Sequence, residues 1–305
     1  MSFAQGARTQ TIYVAETIFG TTPASPGMID LPLTGNSLAL SKDALVSNTI
    51  RSDRQIADHR HGMKSVSGNL DFEFRFADFD AFMEGALMGA WAENVLKVGT
   101  TKKFFSVEKG FTDISRYHLY TGCMVNNFSL SVKPNAMVTG SFGIIGADLS
   151  GGAASEDASP TVVSGNDPFD SFTGAIYEGG DAASNEIAII TGIDFSLDNA
   201  LVATQVVGSA VTPEISYGKS NLTGTLSAYF ESAALLDKFI DETESVIQFT
   251  LTDLDSNTFT FLIPKVKYNG GDPGISGEGP IELSMPFQAI YDATETTNFK
   301  ITRSA

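Results

Sequence analysis

The sequence has a single cysteine, Cys123, among 305 residues. No intrachain disulfide can form, and nothing marks the chain for an oxidising compartment. Cys123 lies in the strand-like stretch Leu119-Tyr-Thr-Gly-Cys-Met-Val, so a packing role is expected rather than a reactive thiol. Charge is also scarce, at 18% of residues, and basic charge scarcer still, with 19 Lys/Arg against 36 Asp/Glu for a net −17. The imbalance is local: residues 1–150 carry 13 Lys/Arg and 14 Asp/Glu, whereas residues 151–305 carry 6 and 22. A nucleic-acid binder needs clustered cations to replace phosphate counterions, so specific nucleic-acid recognition is not expected. No run of roughly 18 apolar residues is present to span a membrane. The opening Met1-Ser-Phe-Ala-Gln-Gly-Ala-Arg-Thr-Gln lacks the basic start and apolar run of a secretory signal. The expectation is a protein made and first used in a cytoplasm.

Chemistry-bearing motifs are missing as well. Of three histidines, His59 and His61 share one face of an expected strand, but zinc needs further ligands, and Arg54 and Arg60 lie beside them. There is no Cys-x-x-Cys, His-Glu-x-x-His, Gly-x-Ser-x-Gly or phosphate-binding Gly-x-x-x-x-Gly-Lys loop. Asp253-Leu-Asp-Ser-Asn257 resembles the start of a calcium loop but lacks its glycine and closing glutamate, which leaves a plain Asp/Asn turn. The sequence therefore offers no catalytic, cofactor-binding or metal-binding residue. A carboxylate pair assembled by the fold stays open.

What is present is strand and turn chemistry: 29 glycines, 22 phenylalanines and many Thr and Ser. Leu70, Phe72, Phe74 and Phe76 alternate with Asp71, Glu73 and Arg75, the pattern of a half-buried strand. Over 77–92 the spacing changes to three and four, through Phe79, Phe82, Met83, Ala86, Leu87, Ala90 and Trp91, which predicts a helix. Residues 1–28 read as an N-terminal arm, because two prolines and two glycines fall within 20–27. Residues 41–62 are polar and too long for a tight turn, so they form a functional loop or an extended hairpin. Residues 147–186, rich in Gly, Ala, Ser and Asp, read as a linker or surface loop.

The pattern then restarts. Ser65-Val-Ser-Gly-Asn-Leu-Asp-Phe-Glu-Phe matches Ser220-Asn-Leu-Thr-Gly-Thr-Leu-Ser-Ala-Tyr-Phe, and each runs into a short amphipathic helix. Further strand matches follow in the same order. The reading is an internal duplication within a mainly β chain: an arm (1–28), a first β unit (29–146), a linker or surface loop (147–186) and a second β unit (187–305). Each unit is expected to be a β-sandwich or partly open barrel with one flanking helix.

Glu16-Thr-Ile-Phe-Gly-Thr-Thr-Pro23, Leu31-Pro-Leu-Thr-Gly-Asn-Ser-Leu38, Ser47-Asn-Thr-Ile-Arg-Ser-Asp-Arg-Gln55 and the Gly62–Gly68 stretch before the Phe-rich strand resemble the major tail tube proteins of long, non-contractile phage tails. The resemblance is strongest over residues 12–90. It implies a structural, non-enzymatic virion subunit that joins sheet edges into rings, with other tail proteins at the tube ends and DNA passing through the lumen without specific binding. It also implies that the arm and the 41–62 loop reach the next ring, which makes Arg51, Asp53, Arg54 and Asp58 candidates for inter-ring salt bridges. Combined with the duplication, it leads to an expectation of trimeric rings with pseudo-sixfold symmetry. A capsid decoration or adhesin module, or a carbohydrate-active β-sandwich enzyme, are the other readings of the same composition.

Overall fold

A computed structural model describes residues 3–179, 190–231, 233–274 and 277–305. The chain is mainly β, with two short helices among the described residues. In the first half run β1 (Thr9–Glu16), β2 (Ile29–Asp30), β3 (Leu33–Asn36), β4 (Ala39–Val46), β5 (His59–Glu73), α1 (Asp80–Leu87), β6 (Val95–Lys97), β7 (Phe104–Phe111), β8 (Arg116–Val132), β9 (Thr139–Gly146) and β10 (Asp148–Gly152). In the second run β11 (Ala175–Glu178), β12 (Ile190–Asp198), β13 (Val202–Ala203), β14 (Ile215–Ser216), β15 (Asn221–Tyr229), α2 (Ala234–Ile240), β16 (Ser245–Thr252), β17 (Thr258–Tyr268), β18 (Glu282–Ala289) and β19 (Lys300–Ser304).

The two halves pair their strands in the same order. In the first, antiparallel neighbours run β1–β7–β8–β9–β5–β4, with β10 also on β8. In the second they run β11–β16–β17–β18–β15–β12, with β19 also on β17. A helix follows β5 in one and β15 in the other. The long strand β8 serves two sets of partners: its first part pairs β7 and β10, its second part β9 and β12. The corner is at Gly122, whose φ of +64° is open to glycine at little cost. A Cβ there would come within 2.9 Å of the Phe19 ring and the Ala147 methyl.

The halves share one hydrophobic core. Alternating inward phenylalanines bridge them. Phe128 meets Phe195 at 5.5 Å between ring centroids, and Phe74 meets Phe259 at 5.2 Å. Aromatic pairs of this kind contribute about 0.5–1.5 kcal/mol each beyond their burial. Backbone pairing adds to the joint, β8 to β12 over Asn127–Val132 and β6 to β19. Arg303 of β19 pairs with Asp80 and sits 4.4 Å over the Trp91 ring.

Three segments differ from the sequence reading. Within the expected arm, residues 9–16 are strand β1, hydrogen-bonded to β7 along its whole length with Ile12 and Tyr13 buried. The polar flanks conceal this, because only Ile12, Tyr13 and Val14 carry its apolar character. The helix ends at Leu87 rather than 92: Met88 turns left-handed (φ 48°), and Gly89 passes so close to the Lys97 carbonyl that a Cβ would not fit. Within 147–179 the chain forms β10 and β11 and inserts Phe169 into the core, its N–H donating to the Phe74 carbonyl at 2.9 Å. The rest of the 147–186 segment, 180–186, lies outside the described residues.

Candidate functional site: a shared polar sheet face and a projecting hairpin

Period-2 alternation gives each strand one face for the core and one for solvent. Because β8 pairs with β12, the outer faces of β5, β9, β8, β12, β15 and β18 join into one surface that runs through both halves. Its residues are small and polar: Ser67, Asn69, Asp71 and Glu73 on β5, Ser129 and Ser131 on β8, Asp194 and Ser196 on β12, Thr223, Thr225 and Ser227 on β15. Their side chains bind one another laterally. Ser141 Oγ donates to Asp71 Oδ1 at 2.6 Å, Asn127 Nδ2 to Ser196 Oγ at 2.7 Å, and Gln288 Nε2 to Asn221 Oδ1 at 2.9 Å. Asp71, Ser129, Ser131, Ser141 and Asp194 line one shallow depression at the seam between the halves. Carboxylates outnumber amines on and beside this face, with Asp71, Glu73, Asp194, Asp198 and Glu282 set against Lys133, which lines the same depression, and Lys267 of the adjoining β17. A surface with this balance of charge repels phosphate.

The 41–62 segment is an extended hairpin made of β4 and the first part of β5. Its tip, residues 47–58, is exposed apart from half-buried Ser47. Arg51 Nε and Nη2 both donate to the Asp53 carboxylate, the latter at 2.6 Å. That hydrogen bonding raises the Arg51 pKa and lowers that of Asp53. Asp58 pairs with Arg60 at 3.7 Å, not with Arg54. Arg54 occupies the tip at φ 63° and makes no ion pair among the described residues. Of the four sequence candidates, then, the structure joins Arg51 to Asp53 and keeps the other two apart. His59 and His61 stack edge to face at 5.2 Å.

Elsewhere, titratable groups serve packing. Glu16, buried at the end of β1, accepts from Ser106 Oγ, Gly122 N and Gly20 N. Glu178, at the end of β11, accepts from Lys238, Ser245 and the Tyr268 hydroxyl. Burial, with Glu178 beside it, drives the Tyr268 pKa far up. Cys123 is fully buried and its thiol pKa is raised by that burial. Asp253 closes a local turn, accepting from the N–H groups of Asp255 and Asn257. Among the described residues no group of three or more His, Cys, Asp or Glu gathers as a metal site would require.

The family model for phage tail tube proteins matches residues 6–289. The chain belongs to the phage tail tube protein family. No curated protein sequence matches it. Membership makes the chain a structural subunit of the virion tail that associates into a tube with its own copies and with other tail proteins. Among the described residues no helix is long and apolar enough to cross a membrane. For a tail tube subunit, the polar sheet face is the feature that sequence reasoning missed. Its signal was visible in Ser129-Leu-Ser131 and Thr223-Gly-Thr-Leu-Ser227, but only as the outward side of separate strands.

Proposed function

We propose that this subunit assembles into stacked rings whose DNA channel is lined by the polar face of β5, β9, β8, β12, β15 and β18. The observation that carries the reading is the continuity of that face across two halves with the same pairing order. Each chain then supplies two structural equivalents, and three chains close a pseudo-sixfold ring by a heterologous contact repeated until the rotation completes. Ring closure also pairs sheet edges that would otherwise stay open to aggregation. Small hydroxyl and acidic side chains let DNA slide, since each phosphate meets like charge and no cluster of cations. The unit boundaries follow: a first tube unit over 29–146 that also takes in β1, a second over 187–305 that also takes in β11, and the rest of the 147–186 segment between them. Residues 3–8 and the hairpin tip, with Arg51, Asp53, Arg54 and Asp58, reach the adjacent ring. Assembly takes place in the host cytoplasm, before the tail joins the virion.

Cryo-electron microscopy of the assembled tube tests this. Three chains per ring, with Asp71, Asp194 and Thr225 facing the lumen, is the expected result. Six chains per ring with one half decorating the outside is the result that sinks it.

A further inference from the structure

The joint between the two halves is built once within each chain, and one side of it is left over at each end. Strand β12 pairs with the second part of β8. Beyond β12 the chain makes a second hairpin, β13–β14, which bends over the end of α1. Asn199 Nδ2 donates to the carbonyls of Ala86 (2.8 Å) and Val125 (3.1 Å). Asn126 receives the backbone, its carbonyl from Asn199 N at 2.8 Å and its Oδ1 from Leu201 N at 2.7 Å. Leu201 and Ile215 pack on Met88 and Met124. Lys102 completes the cover by pairing with Glu214 at 2.5 Å.

Register identifies the counterparts. Leu45↔Arg60 and Val46↔His59 in β4–β5 correspond to Val202↔Ser216 and Ala203↔Ile215 in β13–β14, each lying beyond the paired stretch of its own half. Lys42 thus corresponds to Asn199. On the receiving side, Ile144 opposes both Gly68 and Val125, and Phe287 opposes both Gly224 and Tyr268. Tyr268 is therefore the counterpart of Val125, and Asn269 that of Asn126.

The counterparts are uncovered. The two helices close alike, Gly89 N donating to Glu84 O and Thr243 N to Lys238 O, so Met88 corresponds to Glu242. Met88 is 3% exposed, whereas the end of α2 is open, with Glu242 exposed, Ile240 64% exposed and Phe239 36%. Asn269 is exposed, and its side chain makes no hydrogen bond among the described residues. The β4–β5 hairpin projects with exposed Leu45 and Val46. Charges complement each other at the contact: Lys42 lies on the hairpin, Asp241 and Glu242 at the end of α2.

We infer that the β4–β5 hairpin of one copy closes over the α2 end and the Asn269 corner of a second copy, repeating between chains the joint that links the halves within one. This contact rests on the tube reading above and names the residues that hold neighbours together within a ring. Lys42 reaches the carbonyls that end α2 and the Asp241–Glu242 pair, as Asn199 reaches Ala86. Val46 lies over the open last turn of α2 with its exposed Ile240, as Ala203 and Ile215 lie over the end of α1. Asn269 receives the backbone near Ala44.

The test uses the full chain with four single variants, Lys42→Glu, Glu242→Lys, Ile240→Asp and Asn269→Ala, and the double variant Lys42→Glu/Glu242→Lys. All these positions are exposed in the single chain, so its circular dichroism and melting temperature stay unchanged. Each single variant raises the concentration needed for rings or tubes, read by sedimentation and negative-stain microscopy, by at least tenfold. The double variant returns it to within about threefold of the parent. Tubes forming from the single variants at the parental concentration overturn this contact and leave the tube reading standing. A double variant no better than its singles overturns the Lys42 assignment. A parent chain that forms neither rings nor tubes, even when seeded with tail tips, overturns both readings.

Discussion

Replacing Phe169 by alanine separates two accounts of the 147–179 segment. If that segment is only a connector, the change costs almost nothing. In the structure Phe169 is fully buried, 5.4 Å from the Phe74 ring and 5.9 Å from the Phe259 ring, so it stands between the halves. Its backbone is fixed on both sides, the N–H donating to Phe74 O and the carbonyl accepting from Val138 N, each at 2.9 Å. With the backbone pinned, the surroundings cannot collapse into the vacated space. A buried Phe→Ala change of this kind costs about 3–5 kcal/mol through lost transfer energy and a residual cavity. For a chain of this size that lowers the melting temperature by roughly 6–10 °C. Urea unfolding followed by circular dichroism is the assay. Phe172→Ala is the control, since Phe172 is 72% exposed and its removal should stay within about 0.5 kcal/mol of the parent. Phe169→Leu should fall between, losing about 1–2 kcal/mol. A Phe169→Ala chain within about 1 kcal/mol of the parent would refute the claim that this segment belongs to the core.

Other outcomes follow from single groups. Cys123, fully buried with its thiol pKa raised, should resist thiol reagents in the native chain and react fully in denaturant; rapid native labelling contradicts its placement. Burial, and then Asp78, push the Tyr13 pKa up to about 12, and Tyr268 is raised further. The unfolded chain releases these protons near the ordinary tyrosine pKa of about 10, before the folded chain does. Stability should therefore be flat below about pH 10 and fall as pH rises toward 12, with a shallower fall in Tyr13→Phe; an unchanged slope refutes the assignment. Arg51→Ala and Asp53→Ala remove a solvent-screened exposed pair, so the melting temperature of the monomer should stay at the parental value. If the hairpin tip bridges rings, the same variants should shorten or abolish tubes, and full-length tubes count against that role.

Much of this fold can be read along the chain because the physics involved is local. Leu70, Phe72 and Phe74 announce a strand by period-2 alternation, and Gly68 with Gly224 marks the same position in each repeat. Strand β1 was harder to read, since burial of Ile12 and Tyr13 depends on β7, about a hundred residues away. Helix α1 stops early because β6 returns across its end at Gly89, a contact that helical periodicity cannot report. Arg51, Asp53, Arg54 and Asp58 stood out only as charges on one loop; that Arg51 takes Asp53 and Asp58 takes Arg60 depends on how the hairpin turns.

The sequence by itself determined that the protein is β-rich, short of cations in its second half and without recognised catalytic or metal-binding motifs, and it carries a strand–helix pattern that recurs in its second half. It also carried enough residue pattern to indicate the tail tube family. Those properties are set by composition and near-neighbour periodicity. The tertiary structure decided that the two halves share one core, that their outward serines, threonines and aspartates form one surface, and that one hairpin folds back while its counterpart projects. Each of these depends on β8 turning at Gly122 to take β12 as a partner. Such long-range pairing is fixed by the balance of packing and backbone hydrogen bonds over the whole chain.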